Sequence, residues 1–426
     1  PERVPSESKP PDKSGNYKPH QINKCAVIGA GVMGGGIAQL LAAHGLPVRI
    51  KDLNYPLLAT ALKEAKKIYD DGVKRKKIKK NKMTSGMGLI SPTITYSGFA
   101  NADLVIEAVT EDMKIKKIVF SEVSKIVRQN TILASNTSCL SVQKMAESTN
   151  NPGKVIGMHF FNPVHRMPLI EVIRTKNTDD STVATLVDFS RKLGKVVIVV
   201  NDSCGFLINR ILLPYLTEAG FLLEEGVDME KVDRIMTRFG MPVGPFALMD
   251  EIGIDVGYKV ADILESVFGE RMKVPSILSK IYREKLFGKK TGRGFFIYIN
   301  KKSGKIPNKE IYNLLPPIKK QPVISQPVVS DKDILCRMVY RMVNEGCRCL
   351  EESVCQEPSD IEVGMIMGIG FPAFRAGLLH YADSIGMDKI VKELERFAGT
   401  AGTGSERFKP CNYLIKLAQQ KQKFFN

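Results

Sequence analysis

Three glycines in close succession constrain the fold of this chain more than any other feature. They lie in the segment Gly29-Ala30-Gly31-Val32-Met33-Gly34, which directly follows the short apolar run at residues 24–28. Residues 36–44 then have helical character, and residues 46–50 return to an apolar, strand-like pattern. This order of strand, tight turn, helix and strand predicts the first βαβ unit of a doubly wound α/β sheet.

The glycine spacing and one acidic residue predict the ligand of this turn. Gly29 permits the tight turn, Gly31 lets the backbone approach a pyrophosphate, and Gly34 lets the helix pack close to the strand. The helix N-terminus then directs its N–H groups at phosphate. Asp52 ends the second strand. A carboxylate at this position accepts hydrogen bonds from the ribose hydroxyl groups of NAD and repels the 2′-phosphate of NADP. NAD is therefore the predicted cofactor, although the neighbouring Lys51 leaves some tolerance of NADP open.

The strand–helix alternation continues to about residue 200 and predicts a Rossmann-type domain. From residue 205 the pattern is mostly helical, and a polar, proline-rich stretch covers about residues 300–330. We therefore expect a linker at residues 1–21 and a Rossmann-type NAD-binding domain at residues 22–203. A helical domain follows at residues 204–300, a second linker at residues 301–330 and a second helical domain at residues 331–426.

The two helical parts share a pattern of charged residues. Five positions of the first part recur 127 positions later with the same residue types: Arg210, Glu218, Glu224, Glu225 and Asp233 match Arg337, Glu345, Glu351, Glu352 and Asp360. A segment rich in glycine and proline follows in each part, at residues 240–246 and 370–377. The sequence therefore predicts an internal repeat of one helical unit.

Charge and composition limit the classes of partner. The net charge of +17 favours anionic partners, and the densest basic run is Lys74–Lys82. This run is either a solvated helix end or a surface that steers a phosphate-rich substrate. It contains no aromatic residue, which argues against a stacking platform for nucleic acid. The eight cysteines lack metal-ligand spacing and no apolar run approaches a membrane span of about 20 residues, so we expect no metal, no nucleic acid and no membrane span.

A histidine supplies the candidate base for oxidation of a hydroxyl group. His159 follows an apolar strand at the carboxyl edge of the predicted sheet, where ligands of α/β folds bind. Taken alone, it fits a packed core histidine equally well. Glu171, twelve residues later, can fold back to orient the imidazole and stabilise its charged form. Asn136 and Ser138 follow another strand at the same edge, and Asn209 begins the first helical part.

These residues lie in segments that resemble the L-3-hydroxyacyl-CoA dehydrogenase family. The matching segments are GAGVMGGG at 29–36, ASNTS at 134–138, HFFNP at 159–163, GFLINR at 205–210 and GMPVGPF at 240–246. The resemblance covers about residues 22–300. The second helical repeat extends it to the end of the chain, which is similar to the C-terminal part of multifunctional fatty-acid β-oxidation enzymes.

The resemblance implies a role for each matched residue. His159 would take the proton of the 3-hydroxyl group of (3S)-3-hydroxyacyl-CoA, and Glu171 would orient it. Ser138 and Asn209 would hydrogen-bond the reacting oxygens. The nicotinamide half of the cofactor would be held by Glu111 and Lys116, together with Asn136 or Ser138. The products would be 3-oxoacyl-CoA and NADH.

The resemblance also implies partners. An enoyl-CoA hydratase/isomerase domain precedes this region in the multifunctional enzymes, and the linker-like start at Pro1 suggests a piece of such a chain. A thiolase is a candidate partner, and we expect the chain to be a monomer or a weak dimer. The simplest compartment is a bacterial cytoplasm, and a peroxisome or a mitochondrion is the alternative. The second repeat is expected to cover the apolar surface of the first. Two other functions stay open: another β-hydroxyacid dehydrogenase, and a non-catalytic NAD-binding relative.

Overall fold

A computed structural model describes residues 19–299, 304–316, 329–400 and 406–425. The chain divides into two compact units, Pro1–Phe206 and Leu207–Asn426. The predicted first linker lies outside the described residues except for its last three positions. Half of the predicted second linker, residues 301–303 and 317–328, lies outside them as well.

The first unit is built on an eight-stranded sheet with the strand order β3-β2-β1-β4-β5-β6-β7-β8. Neighbouring strands are parallel except β6 and β7, which are antiparallel. The strands are β1 (Cys25–Ile28), β2 (Val48–Lys51), β3 (Ile90–Thr93), β4 (Leu104–Glu107), β5 (Ile132–Ser135), β6 (Val155–Phe160), β7 (Leu169–Arg174) and β8 (Val196–Asn201).

Helices connect these strands and cover the sheet. They are α1 (Val32–Ala43), α2 (Tyr55–Lys74), α3 (Lys80–Gly88), α4 (Met113–Ser124), α5 (Val142–Ala146) and α6 (Asp180–Lys192). The central strands are mostly apolar and buried at every position, as expected of a parallel sheet covered on both faces. The predicted doubly wound fold is confirmed.

Two local features of this unit depart from what the sequence indicates. Residues 55–80 have a continuous helical and basic pattern, but α2 ends at Lys74 and α3 begins only at Lys80, because Lys76 has a φ of 56°, which lies outside the range of an α-helix. The strand β3 was missed because its residues Ile-Ser-Pro-Thr are half polar and contain a proline. Proline is compatible with an edge strand, which is the place of β3 in the sheet.

The second unit is helical. Its helices are α7 (Ile208–Glu224), α8 (Met229–Phe239), α9 (Pro245–Ile252), α10 (Ile254–Phe268), α11 (Ser276–Arg283), α12 (Asp331–Glu351), α13 (Pro358–Gly364), α14 (Leu378–Ile385), α15 (Met387–Thr400) and α16 (Asn412–Gln420). A small antiparallel hairpin pairs β9 (Phe296–Tyr298) with β10 (Lys305–Pro307). The strand β10 lies in the predicted second linker, and Ile311 beyond it is fully buried, so part of that stretch belongs to the packed unit.

The two repeats pair with each other through reciprocal ion pairs. Arg210 of α7 contacts Glu345 at 2.8 Å and also contacts Glu352. Its repeat counterpart, Arg337 of α12, donates to Glu218 at 2.7 Å and to Glu225 at 2.5 Å. Each contact of the first repeat therefore recurs with the roles exchanged, as in a two-fold symmetric pair.

An aspartate cap is also repeated. Asp250 of α9 accepts hydrogen bonds from the backbone N–H groups of Phe295 and Phe296, both at 2.9 Å. Asp383 of α14 accepts them from Phe424 and Phe425, at 2.9 and 3.1 Å. The end of the chain is thus the counterpart of the Phe295–Phe296 segment.

None of the helices in the described ranges combines the length and apolar character needed to cross a membrane.

Candidate active site

The glycine turn has the geometry of a nucleotide-binding turn. Gly29 follows β1 with a φ of +106°, and a Cβ there would lie 2.4 Å from the carbonyl oxygen of Ala108. A Cβ on Gly34 would lie 1.9 Å from the carbonyl oxygen of Gly29. Helix α1 begins at Val32, four residues earlier than predicted, so Val32, Met33 and Gly34 form its first turn. These two glycines are therefore required by the chain's own packing.

Gly31 is required for a different reason. A Cβ added there would meet no atom within 4 Å, so packing within the chain does not explain the missing side chain. Gly31 is the N-cap of α1, makes no side-chain cap, and no acidic residue follows in the first turn. Open space at the N-terminus of a helix whose first turn carries no acidic residue fits the pyrophosphate of a dinucleotide.

The carboxylate of Asp52 is fixed beside this turn. Its Oδ2 accepts a hydrogen bond from Ala30 N–H at 2.6 Å, and its Oδ1 accepts one from Leu53 N–H at 2.6 Å. The neighbouring Lys51 has its ammonium 4.5 Å from the ring centre of Tyr96. A negative charge is thus held where the ribose of a dinucleotide is expected, and this fits NAD better than NADP.

A buried ion pair lies where β4 ends. Lys116 of α4 is 1% exposed, and its ammonium lies 2.7 Å from Glu107 Oε1 and 3.3 Å from Glu111 Oε2. Glu107 Oε2 also accepts a hydrogen bond from Ser135 Oγ at 2.6 Å. Lys116 is therefore a buried link between two carboxylates. Glu107 and Ser135 were not among the predicted site residues, although a charged residue at the end of an apolar strand was a signal.

Glu111 in turn organises the loop after β5. Its Oε1 accepts hydrogen bonds from Thr137 Oγ1 at 2.6 Å and from the backbone N–H of Ser138 at 2.9 Å. Asn136, in the same loop, accepts a hydrogen bond at its Oδ1 from Phe160 N–H at 2.9 Å. The predicted residues Glu111, Asn136 and Ser138 thus lie together at the carboxyl ends of β5 and β6.

His159 and Glu171 are direct partners across two strands. They occupy opposite positions in the antiparallel pair of β6 and β7, so their side chains extend from the same face. His159 Nδ1 lies 2.7 Å from Glu171 Oε2, and both residues are buried. Because an ionised carboxylate can only accept this hydrogen bond, Nδ1 carries the hydrogen, and in the neutral imidazole Nε2 then has the lone pair. The rings of Phe161 and Phe206 lie 4.5 and 6.0 Å from the imidazole centre.

The remaining predicted residues and two other reactive side chains, Cys139 and His380, lie on several different elements. Asn209 lies in the first turn of α7, in the second unit. The basic run Lys74–Lys82 spans the end of α2 and the start of α3. Cys139, beside Ser138, is a poor nucleophile, because burial raises the pKa of its thiol well above the usual range. His380, in the second repeat, contacts Glu362 at 3.1 Å and stacks on Phe425.

Known proteins match both units. The model of the 3-hydroxyacyl-CoA dehydrogenase NAD-binding domain matches residues 24–203. The model of the 3-hydroxyacyl-CoA dehydrogenase C-terminal domain matches twice, at residues 205–298 and 334–423, and confirms the predicted repeat.

Individual relatives agree with these matches. The fatty acid oxidation complex subunit alpha of Shewanella halifaxensis is 40% identical over 424 residues, which are 99% of this chain and 58% of that protein. The chain thus spans little more than half the length of this relative. A 3-hydroxybutyryl-CoA dehydrogenase of Escherichia coli is 25% identical, with a TM-score of 0.81 over 94% of this chain and 99% of its own. A (S)-3-hydroxybutyryl-CoA dehydrogenase of Ralstonia eutropha is 36% identical, with a TM-score of 0.63 over 66% of this chain and 100% of its own.

The matched family models cover both units and most of the described residues. The glycine turn, Asp52 and the buried His159–Glu171 pair all lie within residues 24–203, which the first of these models matches. The chain belongs to the 3-hydroxyacyl-CoA dehydrogenase family and is an NAD-dependent oxidoreductase.

Proposed function

We propose that this chain oxidises (3S)-3-hydroxyacyl-CoA to 3-oxoacyl-CoA, with His159 as the general base. The observation that carries the proposal is the 2.7 Å contact between His159 Nδ1 and Glu171 Oε2 at the carboxyl edge of the sheet. Bound NAD⁺ supplies the hydride acceptor. The proton of the 3-hydroxyl group passes to Nε2 of His159 while the C3–H bond breaks.

Glu171 makes this proton transfer easier in two ways. Its bond to Nδ1 fixes the tautomer that leaves Nε2 free of hydrogen, and its negative charge stabilises the imidazolium that forms. Both effects are strong because Glu171 is fully buried and little water competes for its carboxylate.

The remaining predicted residues bind and orient. Ser138 and Asn209 hydrogen-bond the reacting oxygens of the substrate. The turn from Gly29 to Gly34 holds the pyrophosphate, and Asp52 holds the adenosine ribose. Glu111 and Asn136 contact the nicotinamide half, and Lys116 keeps Glu111 in position from behind. The domain boundaries that we propose for these roles are residues 22–203, 204–300 and 331–426.

We further propose that the chain acts within a fatty-acid oxidation assembly, with an enoyl-CoA hydratase/isomerase domain and a thiolase as the neighbouring activities. The name of the Shewanella relative supports this proposal. The bacterial relatives also support the bacterial cytoplasm as the compartment, which cell fractionation would test. Copurification of a thiolase with the full-length protein would test the assembly.

The catalytic proposal is tested with one substitution and a matched control. We expect His159→Gln to lower kcat for L-3-hydroxybutyryl-CoA by about 10²–10⁴-fold, the usual contribution of a general base. The control is His165→Gln, which removes an exposed histidine from the loop between β6 and β7. NADH formation followed at 340 nm gives both rates. Turnover retained in His159→Gln, or faster oxidation of simple 3-hydroxy acids than of the CoA ester, would contradict the proposal.

A further inference from the structure

Glu107 is a buried carboxylate that the proposed reaction does not use. It ends β4, is 2% exposed and accepts three hydrogen bonds. The ammonium of Lys116 and the backbone N–H of Val109 both donate to Oε1 at 2.7 Å, and the hydroxyl of Ser135 donates to Oε2 at 2.6 Å. An ionised carboxylate is an acceptor in all of its bonds, so Glu107 holds a negative charge inside the domain.

Two further charges are connected to this carboxylate. Lys116 lies between Glu107 and Glu111, and we call these three residues the charge cluster. In the part of the chain that the structure describes, none of them has another ionic partner within 4 Å. Two carboxylates and one ammonium leave a net charge of −1. Water screens this charge little, because Glu107 and Lys116 are almost fully buried and only Glu111 is partly exposed.

The charge cluster lies between the glycine turn and the proposed base. The strand order places β4 and β5 between β1, which leads into the glycine turn, and β6, which carries His159. Ala108, next to Glu107, donates its N–H to the carbonyl oxygen of Ile28 at 2.7 Å, so the cluster is anchored directly beside the turn. A dinucleotide whose pyrophosphate binds at the turn and whose nicotinamide faces His159 must therefore cross the ends of β4 and β5.

The two redox forms of the cofactor differ in the charge of one ring. The nicotinamide ring of NAD⁺ carries a positive charge, and the ring of NADH is neutral. A net negative charge close to the ring therefore stabilises the bound oxidised form more than the bound reduced form. At an effective dielectric constant of about 20, two unit charges about 10 Å apart change a binding equilibrium by about tenfold.

We infer that Glu107 makes this site bind NAD⁺ in preference to NADH, through the net negative charge that it gives to the charge cluster. The inference rests on the proposed function, in which Glu111 contacts the nicotinamide half. Without Glu107, the charges of Lys116 and Glu111 would cancel. The preference favours turnover in the direction of oxidation, because the NADH formed is held less tightly than the NAD⁺ that replaces it.

The test removes this charge and keeps the shape of the side chain. We expect Glu107→Gln to lower the ratio of the Kd for NADH to the Kd for NAD⁺ by about three- to tenfold. Titration calorimetry gives both constants, and NADH fluorescence gives the second independently. Ser135→Ala is the matched control, because it removes one hydrogen bond to Glu107 and leaves all three charges. Its Kd ratio should equal that of the wild type.

A second substitution separates the effect of charge from that of structure. The double variant Glu107→Gln/Lys116→Met keeps only Glu111 of the charge cluster, so the net charge is again −1 and the Kd ratio should return toward the wild-type value. A structural role of Glu107 predicts the opposite, since a second buried change would weaken binding of both cofactor forms further. If Glu107→Gln shows no cooperative thermal unfolding, the double variant is compared with Lys116→Met instead, because this pair also differs only at Glu107. The ratio should then be lower in the double variant.

The outcomes that would overturn the inference are defined by the two constants. Equal weakening of NAD⁺ and NADH binding in Glu107→Gln would assign Glu107 a structural role only. A Kd ratio that falls equally in Ser135→Ala, or one that the double variant does not restore, would exclude charge as the cause. A wild-type chain that binds both cofactor forms but oxidises no 3-hydroxyacyl-CoA would instead refute the proposed function, and the Kd ratios would still decide the role of Glu107.

Discussion

Asp52 combines a structural and a ligand-binding task in one side chain. Its two oxygens hold the N–H groups of Ala30 and Leu53, both at 2.6 Å. These bonds keep a negative charge at the end of β2 and fix its direction toward the glycine turn. The cofactor preference therefore depends on a single residue whose position is set by the backbone around it.

Replacing this charge should weaken selectivity for NAD. We expect Asp52→Asn to raise the KM for NAD⁺ by about 10–100-fold, since a hydrogen bond to a charged group contributes about 1.5–3 kcal/mol. The ratio of kcat/KM for NADP⁺ to that for NAD⁺ should rise at the same time, because the repulsion of the 2′-phosphate is removed. Steady-state kinetics with both cofactors measures the two effects.

The chain offers a matched control for this substitution. Asp103 also accepts two backbone hydrogen bonds, from Asn23 and Lys24, but at the opposite, amino-terminal edge of the sheet. Asp103→Asn should leave the cofactor ratio as it is in the wild type. An unchanged ratio in Asp52→Asn would show that another group selects the cofactor.

The residues at the strand ends show how far the sequence predicts the site. Gly29, Asp52 and His159 were identified because each follows an apolar strand, and strand ends of a parallel sheet share one edge. The exact pairing of His159 with Glu171 depends on the antiparallel register of β6 and β7, which spacing alone does not determine. Glu107 was missed because its role depends on Lys116, which comes from a helix nine residues later.

Among the elements, α7 and α12 pack through buried charge as well as apolar surface. Glu218 of α7 is fully buried, and three guanidinium groups of the second repeat surround it: Arg337 at 2.5 Å, Arg341 at 3.0 Å and Arg407 at 3.1 Å. Burial alone would raise the pKa of Glu218, but the nearby charges of Arg337, Arg407 and Arg341 outweigh it and lower that pKa. The ionised carboxylate thus holds one repeat to the other.

Neutralising this carboxylate should loosen the second unit. We expect Glu218→Gln to lower the free energy of unfolding of this unit by about 3–5 kcal/mol, because three buried cations lose their shared partner. Glu225→Gln is the matched control on the same cluster: Glu225 is 38% exposed, so its loss should cost about 1 kcal/mol or less. Urea unfolding followed by circular dichroism measures both.

The stabilising effect of the Glu218 carboxylate depends on pH. The lowered pKa of Glu218 in the folded chain means that its contribution is present above the ordinary value of 4.5 and is lost as the pH falls through the folded pKa. The stability difference between wild type and Glu218→Gln should therefore be constant near neutral pH and shrink below about pH 4.5. A difference that grows on acidification would contradict the assigned charge state.

The pattern of elements was predicted wherever hydrophobic periodicity is strong. The apolar strands β1, β4, β6 and β8 fall into this group, within the alternation predicted up to about residue 200. The errors occur where the sequence is polar or interrupted, as at β3 and at the break between α2 and α3. The hairpin strand β10 was assigned to a linker because its residues Lys-Ile-Pro have no apolar alternation, and only its pairing with β9 makes it a strand.

At the scale of the whole chain, the helical domain of the family occurs twice in succession. The Ralstonia eutropha relative is matched over its full length by 66% of this chain, so it has no room for a second repeat. In this chain the first repeat carries Asn209, and the second supplies the charged partners of Glu218.

Deletion of residues 331–426 tests this division of tasks. The deletion removes Glu345 and Glu352 from Arg210, and it removes all three arginines from Glu218. Because the pairs are reciprocal, Arg210 of one truncated molecule can take Glu218 and Glu225 of a second molecule as substitutes. We therefore expect the truncated chain to form a dimer, and its Tm to fall on dilution because the dimer dissociates. Sedimentation and thermal unfolding at several protein concentrations measure the two effects.

A charge reversal distinguishes this dimer from nonspecific association of exposed apolar surface. In the truncated chain, Arg210→Glu would set a carboxylate against Glu218 of the other molecule, and like charges that approach in a buried interface prevent pairing. Dimerisation should then disappear, while association driven by apolar contact alone would persist. A truncated chain that is a stable monomer with the Tm and turnover of the full chain would show that the first repeat needs no cover, and the second repeat would then require a different explanation.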